Sequence, residues 1–239
     1  MNQQLTISNR LKKITSYLEP GSYFADIGSD HAYLPCYVCL RDPMAKAIAG
    51  EIVEGPFNSA ISTVKSFKME AAVDVRLGDG LSVLENDEVE QIVIAGMGGS
   101  LIKTILANGI EKLGTVNRII VQPNVDAKAV RKWFYLHNYE ITNEEVVEEN
   151  DHYYEIVVAD KKISTIALTE KECMFGPLLL NNRSNAFYEK WKNECVKRKM
   201  IINQIEQAST PQVEKLARFT TELAWIKEVI RDGENSHQS

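Results

Sequence analysis

Tyr23-Phe24-Ala25-Asp26-Ile27-Gly28-Ser29-Asp30-His31-Ala32-Tyr33-Leu34-Pro35 decides the architecture. An apolar, β-favouring run carries Asp26 near its end, breaks at Gly28 and passes into a segment of helical character, which is how the first strand of an open α/β sheet delivers a loop to a ligand. The residues standing where glycines would be select that ligand. A dinucleotide pyrophosphate needs G-x-G-x-x-G so that bare amides can approach two phosphates, but Asp30 and Tyr33 occupy the second and third glycine positions. A carboxylate there repels phosphate. Asp26 and Asp30 beside a Gly-Ser turn suit a small ligand with a positive charge, such as the ammonium of an amino-acid moiety, and S-adenosylmethionine carries that ammonium together with a sulfonium. A strand ending in a helix-capping aspartate with no ligand has the same local pattern, so the neighbouring segments must decide.

Working outward, Ala45–Glu51 reads as a second strand whose last residue is an acid one βαβ unit after Asp26. Glu51 is placed to accept hydrogen bonds from both hydroxyls of an unphosphorylated ribose. Gly55-Pro56-Phe57 then opens a helix to about Lys68, with proline where an amide would lack a partner. Val73–Leu77 is a third strand followed by Gly78-Asp79-Gly80, a turn whose carboxylate can accept from an adenine amine while neighbouring amides address the ring. Asp-Gly turns are common singly; acids at the tips of three successive strands are not. Gln91–Ala95, the fourth strand, runs into Gly96-Met97-Gly98-Gly99, expected to be a turn on which a flat ring lies with Met97 against one face. Val116–Val121, the fifth, ends in Gln122-Pro123-Asn124, two carboxamides that can read a base edge. Tyr139–Val147 and Tyr153–Ala159 alternate like two antiparallel edge strands around a turn at 148–152.

The flanks are helical. Apolar residues at 7, 11, 14 and 18 mark a lead-in helix whose other face shows Arg10, Lys12 and Lys13 to a polyanion or to water. Cys36-Tyr37-Val38-Cys39 lies on a short helix after the first strand. No second Cys/His pair is spaced to complete a metal site and the flanking residues are core-like, so these cysteines read as packing residues and no metal is expected. Past Lys162 the pattern changes. Tyr188, Trp191, Cys195, Arg198, Ile202 and Ile205 form one seam and Leu216, Phe219, Leu223, Ile226 and Ile230 a second, separated by Ala208-Ser209-Thr210-Pro211; this is an antiparallel coiled-coil hairpin. The residues after Gly233 read as disordered. The expected domains are therefore 1–162 and 163–239.

At 239 residues and 44% hydrophobic composition the chain can bury a full core. Its apolar runs are strand-sized and the N-terminus lacks a signal layout, so a cytoplasmic protein with no membrane partner is expected. The net charge of −6 hides a split: residues 1–160 hold 14 Lys+Arg against 23 Asp+Glu, and residues 161–239 hold 13 against 10. The basic excess of the tail fits either a polyanion or an ordinary solvated helical surface.

Asp-Ile-Gly-Ser-Asp-His-Ala-Tyr-Leu-Pro at 26–35, Ala-Gly-Glu-Ile at 49–52, Gly-Asp-Gly-Leu at 78–81, Ile-Ala-Gly-Met-Gly-Gly at 94–99 and Gln-Pro-Asn at 122–124 together resemble the bacterial tRNA (adenine-N1)-methyltransferase family TrmK, over nearly the whole chain. That resemblance implies an α/β, class I S-adenosylmethionine-dependent methyltransferase fold with a seven-stranded mixed sheet, acting on the adenine at tRNA position 22. It implies S-adenosyl-L-methionine as cofactor at Asp26, Gly28, Glu51, Asp79 and Gly96-Met97-Gly98, with Ser29, Ile52 and Gly80 beside them. On this reading Asn124 or Gln122 holds the adenine N6 amine, and Asp30 and His31 line the mouth. A histidine that only bonds its own loop fits His31 equally well. Arg10, Lys13, Lys128, Arg131, Lys132, Lys197, Arg198 and Lys199 are the candidate tRNA contacts, and a monomer is expected. Two other classes stay open: a methyltransferase for DNA or a small molecule, whose tail closes a lid, and a non-enzymatic RNA-binding module with a vestigial pocket.

Overall fold

A computed structural model describes residues 5–163, 166–208, 210 and 212–236. Helix α1 (Asn9–Thr15) is capped by Ser8, whose hydroxyl accepts the Leu11 N–H. Strand β1 (Tyr23–Ile27) leads to α2 (Tyr33–Cys39), β2 (Lys46–Glu51), α3 (Glu54–Ser66) and β3 (Val73–Leu77). A 3-10 turn at Gly80–Val83 precedes β4 (Gln91–Gly98), α4 (Gly99–Asn108), β5 (Arg118–Val125), α5 (Ala127–Leu136), β6 (Tyr139–Glu149) and β7 (His152–Lys161). The seven strands lie in the order β3-β2-β1-β4-β5-β7-β6, with the first five parallel and the last two antiparallel to their neighbours. The chain steps outward from β1 in one direction and returns to its other side at β4. The strand order therefore reverses between the carboxyl ends of β1 and β4, where an open α/β sheet leaves a crevice.

Both faces of this sheet are covered, so its central strands are near-continuously apolar. Alternate residues of β1 feed opposite cores: Phe24 packs with Ile14, Leu34, Val93 and Ile120, and Ala25 and Ile27 with Ile48, Ile92, Ile94 and Trp133. Cys36 and Cys39 belong to the first core as free thiols, and burial pushes their pKa values up to about 12 and about 11. A thiol so buried is an inert packing group.

Three boundaries differ from expectation. β4 and β5 continue through Gly98 and Val125, so Gly96-Met97-Gly98 and Gln122-Pro123-Asn124 are paired strand rather than turn and loop. The register shifts at Ala95/Met97, where Gly96 takes φ +77°, and Pro123 lies opposite Met97 in that irregular stretch, where its missing N–H is tolerated. The β6–β7 hairpin turns on Asn150-Asp151 alone, both left-handed, as a two-residue primed turn requires. Of this pair β7 lies inside the sheet and β6 is an edge, the opposite edge being β3.

By its contacts the chain divides into two units, residues 1–178 and 179–239. The first runs past the expected boundary at 162 because α6 (Glu170–Phe175), opened by a Thr169/Glu172 capping box, is tied to α5: the Arg131 guanidinium donates to the carbonyls of Cys173 and Met174. Gly176, at φ +92°, separates α6 from α7 (Pro177–Asn181). In the second unit α8 (Asn185–Glu206) and α9 (Val213–Ser236) run antiparallel, since Arg183 reaches Asp232 and Arg198 reaches Glu222. The helix continues through residues 234–236, contrary to the expected disorder after Gly233. Residues 237–239 and, in the expected connecting stretch, Ser209 and Pro211 lie outside the described residues.

Candidate active site

The loop after β1 is left-handed at Gly28 (φ +70°) and then at three consecutive non-glycine residues, Asp30, His31 and Ala32 (φ +46°, +71° and +58°). Each such L-residue costs about 1–2 kcal/mol, so the conformation persists only if its surroundings enforce it. The tip of β2 does so. Gly50 carbonyl accepts the N–H groups of Gly28 (2.9 Å) and Ser29 (3.2 Å), and the Glu51 carboxylate attracts those of His31 and Asp30. Gly28 also permits a close approach: a Cβ there would lie 2.1 Å from Met97 Cε.

Asp26 and Glu51 meet this loop, and Asp79 follows the neighbouring strand. Asp26 is buried and accepts the Ser29 hydroxyl at 2.6 Å. Burial lifts its pKa from 3.8 to about 7; the Ser29 bond opposes the rise, and the neighbouring charges of Glu51 and Asp30 add to it. Glu51 is buried and raised by the same desolvation, against the pull of the His31 and Asp30 N–H groups. Its Oε1 is buried with no hydrogen-bond partner in the protein. Such an orphaned acceptor at a strand tip suits a ligand hydroxyl. Asp79 is exposed at the carboxyl end of β3, beside Gly80 in the left-handed region (φ +53°), and Ile52 is exposed after β2. The donor set therefore fits S-adenosyl-L-methionine: an anionic site for an ammonium, a free acceptor for a ribose and an acid beyond it for an amine. At the mouth His31 Nε2 lies 3.3 Å from Asp30 Oδ1, and its ring tilts against Tyr33 at 5.7 Å between centroids. His31 thus contacts its own loop at the mouth.

Across the crevice the two carboxamides do not stand side by side as readers of a base. Gln122 is fully buried, with Oε1 accepting the Gly96 N–H (3.1 Å) and the Arg10 guanidinium, and Nε2 donating to Asn124 Oδ1 (3.0 Å). It is sealed behind Asn124, which corrects its expected contact with substrate. Asn124 is exposed and donates through Nδ2 to the Gly96 carbonyl (2.7 Å).

The cations are less available than the sequence suggested. Arg131 is fully buried between Glu144 and Glu155, so it is no tRNA contact; burial without a counter-charge would be prohibitive, and two carboxylates supply it. Arg10 is turned inward, its side chain 20% exposed, with its N–H on Glu149 Oε1 (3.0 Å) and its guanidinium 5.0 Å from the Tyr154 ring centre. Nothing in the sequence signals this placement, since Arg10 and Gln122 are 112 positions apart. Lys128 and Lys132 both pair with Glu170, and Lys13 with Glu145 at 2.7 Å. In the second unit Lys197 pairs with Glu194 and Arg198 with Glu222, while Lys199 is exposed. Among the described residues no group of three or more His, Cys, Asp or Glu is arranged to hold a metal ion, and no helix is long and apolar enough to cross a membrane.

Comparison with known proteins addresses the same site. The sequence profile of the TrmK family, described as tRNA (adenine(22)-N(1))-methyltransferase, matches residues 24–228. The Bacillus subtilis (strain 168) tRNA (adenine(22)-N(1))-methyltransferase is 39% identical over 237 residues, spanning 96% of this chain and 99% of that protein. A Streptococcus pneumoniae structure in complex with S-adenosyl-L-methionine aligns with a TM-score of 0.84 at 36% identity, covering 94% of this chain and 100% of that one. The M. capricolum TrmK structure in complex with S-adenosyl-homocysteine gives 0.82 at 29% identity, covering 94% and 98%.

Proposed function

The chain belongs to the TrmK family of tRNA (adenine(22)-N(1))-methyltransferases, and from that premise we propose that its crevice binds S-adenosyl-L-methionine and methylates N1 of adenine 22 in tRNA. The observation that carries the reading is the set of acids at or just past three successive strand tips, Asp26, Glu51 and Asp79, on the same carboxyl edge of the parallel strands as the exposed carboxamide of Asn124. A vestigial RNA-binding module has no use for an orphaned Glu51 oxygen inside such a set.

When bound, the cofactor supplies a methyl group activated by its sulfonium. Adenine N1 is an in-plane lone pair, unprotonated near neutral pH, so transfer needs alignment more than a general base. Asp26 holds the ammonium, Glu51 the ribose and Asp79 the adenine amine of the cofactor. Asn124 holds the N6 amine of the target base. The methylated ring is cationic, and Asp30 at the mouth favours that developing charge. Because N1 of a stacked or paired base is covered, the nucleotide is extruded into the crevice. The working unit on this reading is a cytoplasmic monomer, and a dimeric mass by sedimentation would contradict it.

The test is labelled S-adenosyl-L-methionine with unmodified tRNA transcripts, followed by primer extension. A single stop at adenine 22 is expected. Cofactor binding without transfer to any tRNA would overturn the tRNA assignment, and transfer to DNA instead would favour the competing acceptor class.

Two further outcomes are expected. Asp26 must be ionised to hold an ammonium, and its pKa stands near 7. Cofactor affinity should therefore rise roughly tenfold from pH 6 to pH 8, with a proton released on binding at pH 6, read by calorimetry in buffers of different ionisation enthalpy. An affinity flat across that range would refute it. By the same linkage the free protein loses stability as pH rises from the ordinary carboxyl value through about 7, because the folded Asp26 keeps its proton longer than the unfolded one.

The second outcome concerns the helical unit, which on this reading positions tRNA through phosphates. Reversing the charge at Lys197 and Lys199 should weaken tRNA binding and flatten its dependence on salt, by about one unit of log–log slope per lost contact. Unchanged affinity and slope would move the RNA grip elsewhere.

A further inference from the structure

An asparagine reads a base only if its carboxamide faces one way, since a rotation by 180° exchanges acceptor and donor. Nothing within Asn124 fixes that rotation. The hydrogen bonds behind it do. Asn124 Nδ2 meets the Gly96 carbonyl, which can only accept, and Oδ1 meets Gln122 Nε2. Gln122 Oε1 meets the Gly96 N–H and the Arg10 guanidinium, both of which can only donate. If Gln122 turned over, its NH2 would face two donors and its oxygen would face Asn124 Oδ1. The polarity therefore runs one way, from Arg10 through Gln122 and Asn124 to the Gly96 carbonyl.

Arg10 is built into this position rather than resting near it. Its backbone N–H bonds Glu149 on β6, its guanidinium lies over Tyr154 on β7, and its end group reaches Gln122 on β5. A guanidinium stays charged at any working pH and has no acceptor, so it cannot support the reversed arrangement.

We propose that Arg10 is a positioning residue for base selection: acting through Gln122, it fixes the Asn124 carboxamide so that its outward edge offers an acceptor to adenine N6–H and a donor to adenine N7. This inference rests on the proposed function. A grip on N6 and N7 uses the Hoogsteen edge and leaves N1 clear for methylation. Guanine, with acceptors at both O6 and N7, is refused by the same edge. Asn124 touches the base, and Arg10, together with the Gly96 peptide, fixes what Asn124 presents.

The test compares Arg10→Met, which removes the donors and keeps an apolar stem, with Arg10→Lys, which still can only donate. Each is assayed on tRNA with adenosine or with purine riboside, which lacks the N6 amine, at the target position. Arg10→Met is expected to lower kcat on the adenosine tRNA by on the order of 10- to 100-fold, with KM for tRNA and cofactor affinity little changed. Its preference for adenosine over purine riboside should collapse, Arg10→Lys should restore most of both, and Arg10→Met should cost nothing further in an Asn124→Ala background. The inference is overturned if Arg10→Met keeps the wild-type preference, if its effect adds to that of Asn124→Ala, or if it raises KM and flattens the salt dependence as a phosphate contact would. Loss of cofactor binding in both Arg10 variants would assign Arg10 to holding the fold and overturn it as well. Should the wild-type protein methylate no tRNA, the failure lies in the functional reading; should it methylate normally while Arg10 variants match it, only this inference falls.

Discussion

Replacing Asn124 by alanine should reduce single-turnover methyl transfer to tRNA by on the order of 10²- to 10³-fold, the effect of deleting one fixed polar group that acts in a transition state. The loss has two parts. The oxygen that holds the N6 amine disappears, and the Gln122 Nε2 behind it loses its acceptor while the Gly96 carbonyl loses a donor. Cofactor affinity should hold within about twofold, because Asp26 and Glu51 lie across the crevice on β1 and β2. Asn124→Asp should be nearly as slow, since it keeps an acceptor outward but sets a second oxygen against the Gly96 carbonyl. Calorimetry for the cofactor and rapid-quench kinetics for transfer separate these terms. A wild-type rate in Asn124→Ala would remove Asn124 from the reaction.

The second large effect concerns stability. Arg131→Met should destabilise the protein by about 3–5 kcal/mol, the cost of leaving buried charge uncompensated. Arg131 lies between Glu144 and Glu155, all three side chains essentially inaccessible, and it also donates to the Cys173 and Met174 carbonyls. Glu144 in turn accepts the Leu178 N–H at 2.9 Å. One arginine thus ties α5, β6, β7 and α6 together, and its loss should lower Tm by roughly 6–20 °C for a protein of this size. Arg131→Met with Glu144→Leu and Glu155→Leu should recover part of that loss, because an apolar cluster replaces an ionic one at less cost than a broken pair. A melting temperature unchanged in the single variant would refute the account. If Arg131 instead contacted tRNA, the single variant would keep its stability and lose RNA affinity.

The two residues show where a sequence is legible. The tips of β1, β2 and β3 were readable because each is written locally: a β-favouring run, an acid near its end, then a glycine or a break. Asp26, Glu51 and Asp79 therefore fell at or just past strand tips as expected, and the sheet has the seven strands that the family resemblance implied. The extension of β4 and β5 was not readable, since Gly96-Met97-Gly98 and Gln122-Pro123-Asn124 carry the composition of turns. They remain strands because each supplies the other's partners across a bulge, which no single segment encodes.

The sequence by itself determined the fold class and the acids at the tips of the first three strands, because period, turn chemistry and residue order are properties of neighbouring positions; the strand order that opens the crevice between β1 and β4 belongs to the folded sheet. Only the tertiary structure decided that Gln122 is sealed while Asn124 is open, that Arg131 is a buried tie and that Arg10 faces Gln122 rather than a phosphate. A lysine or arginine on an amphipathic helix has the same local pattern whether it meets water, RNA or a buried carboxylate. What separates those fates is the counter-charge or acceptor waiting at the end of its reach, and the packing of β5, β6 and β7 is what sets that partner in place.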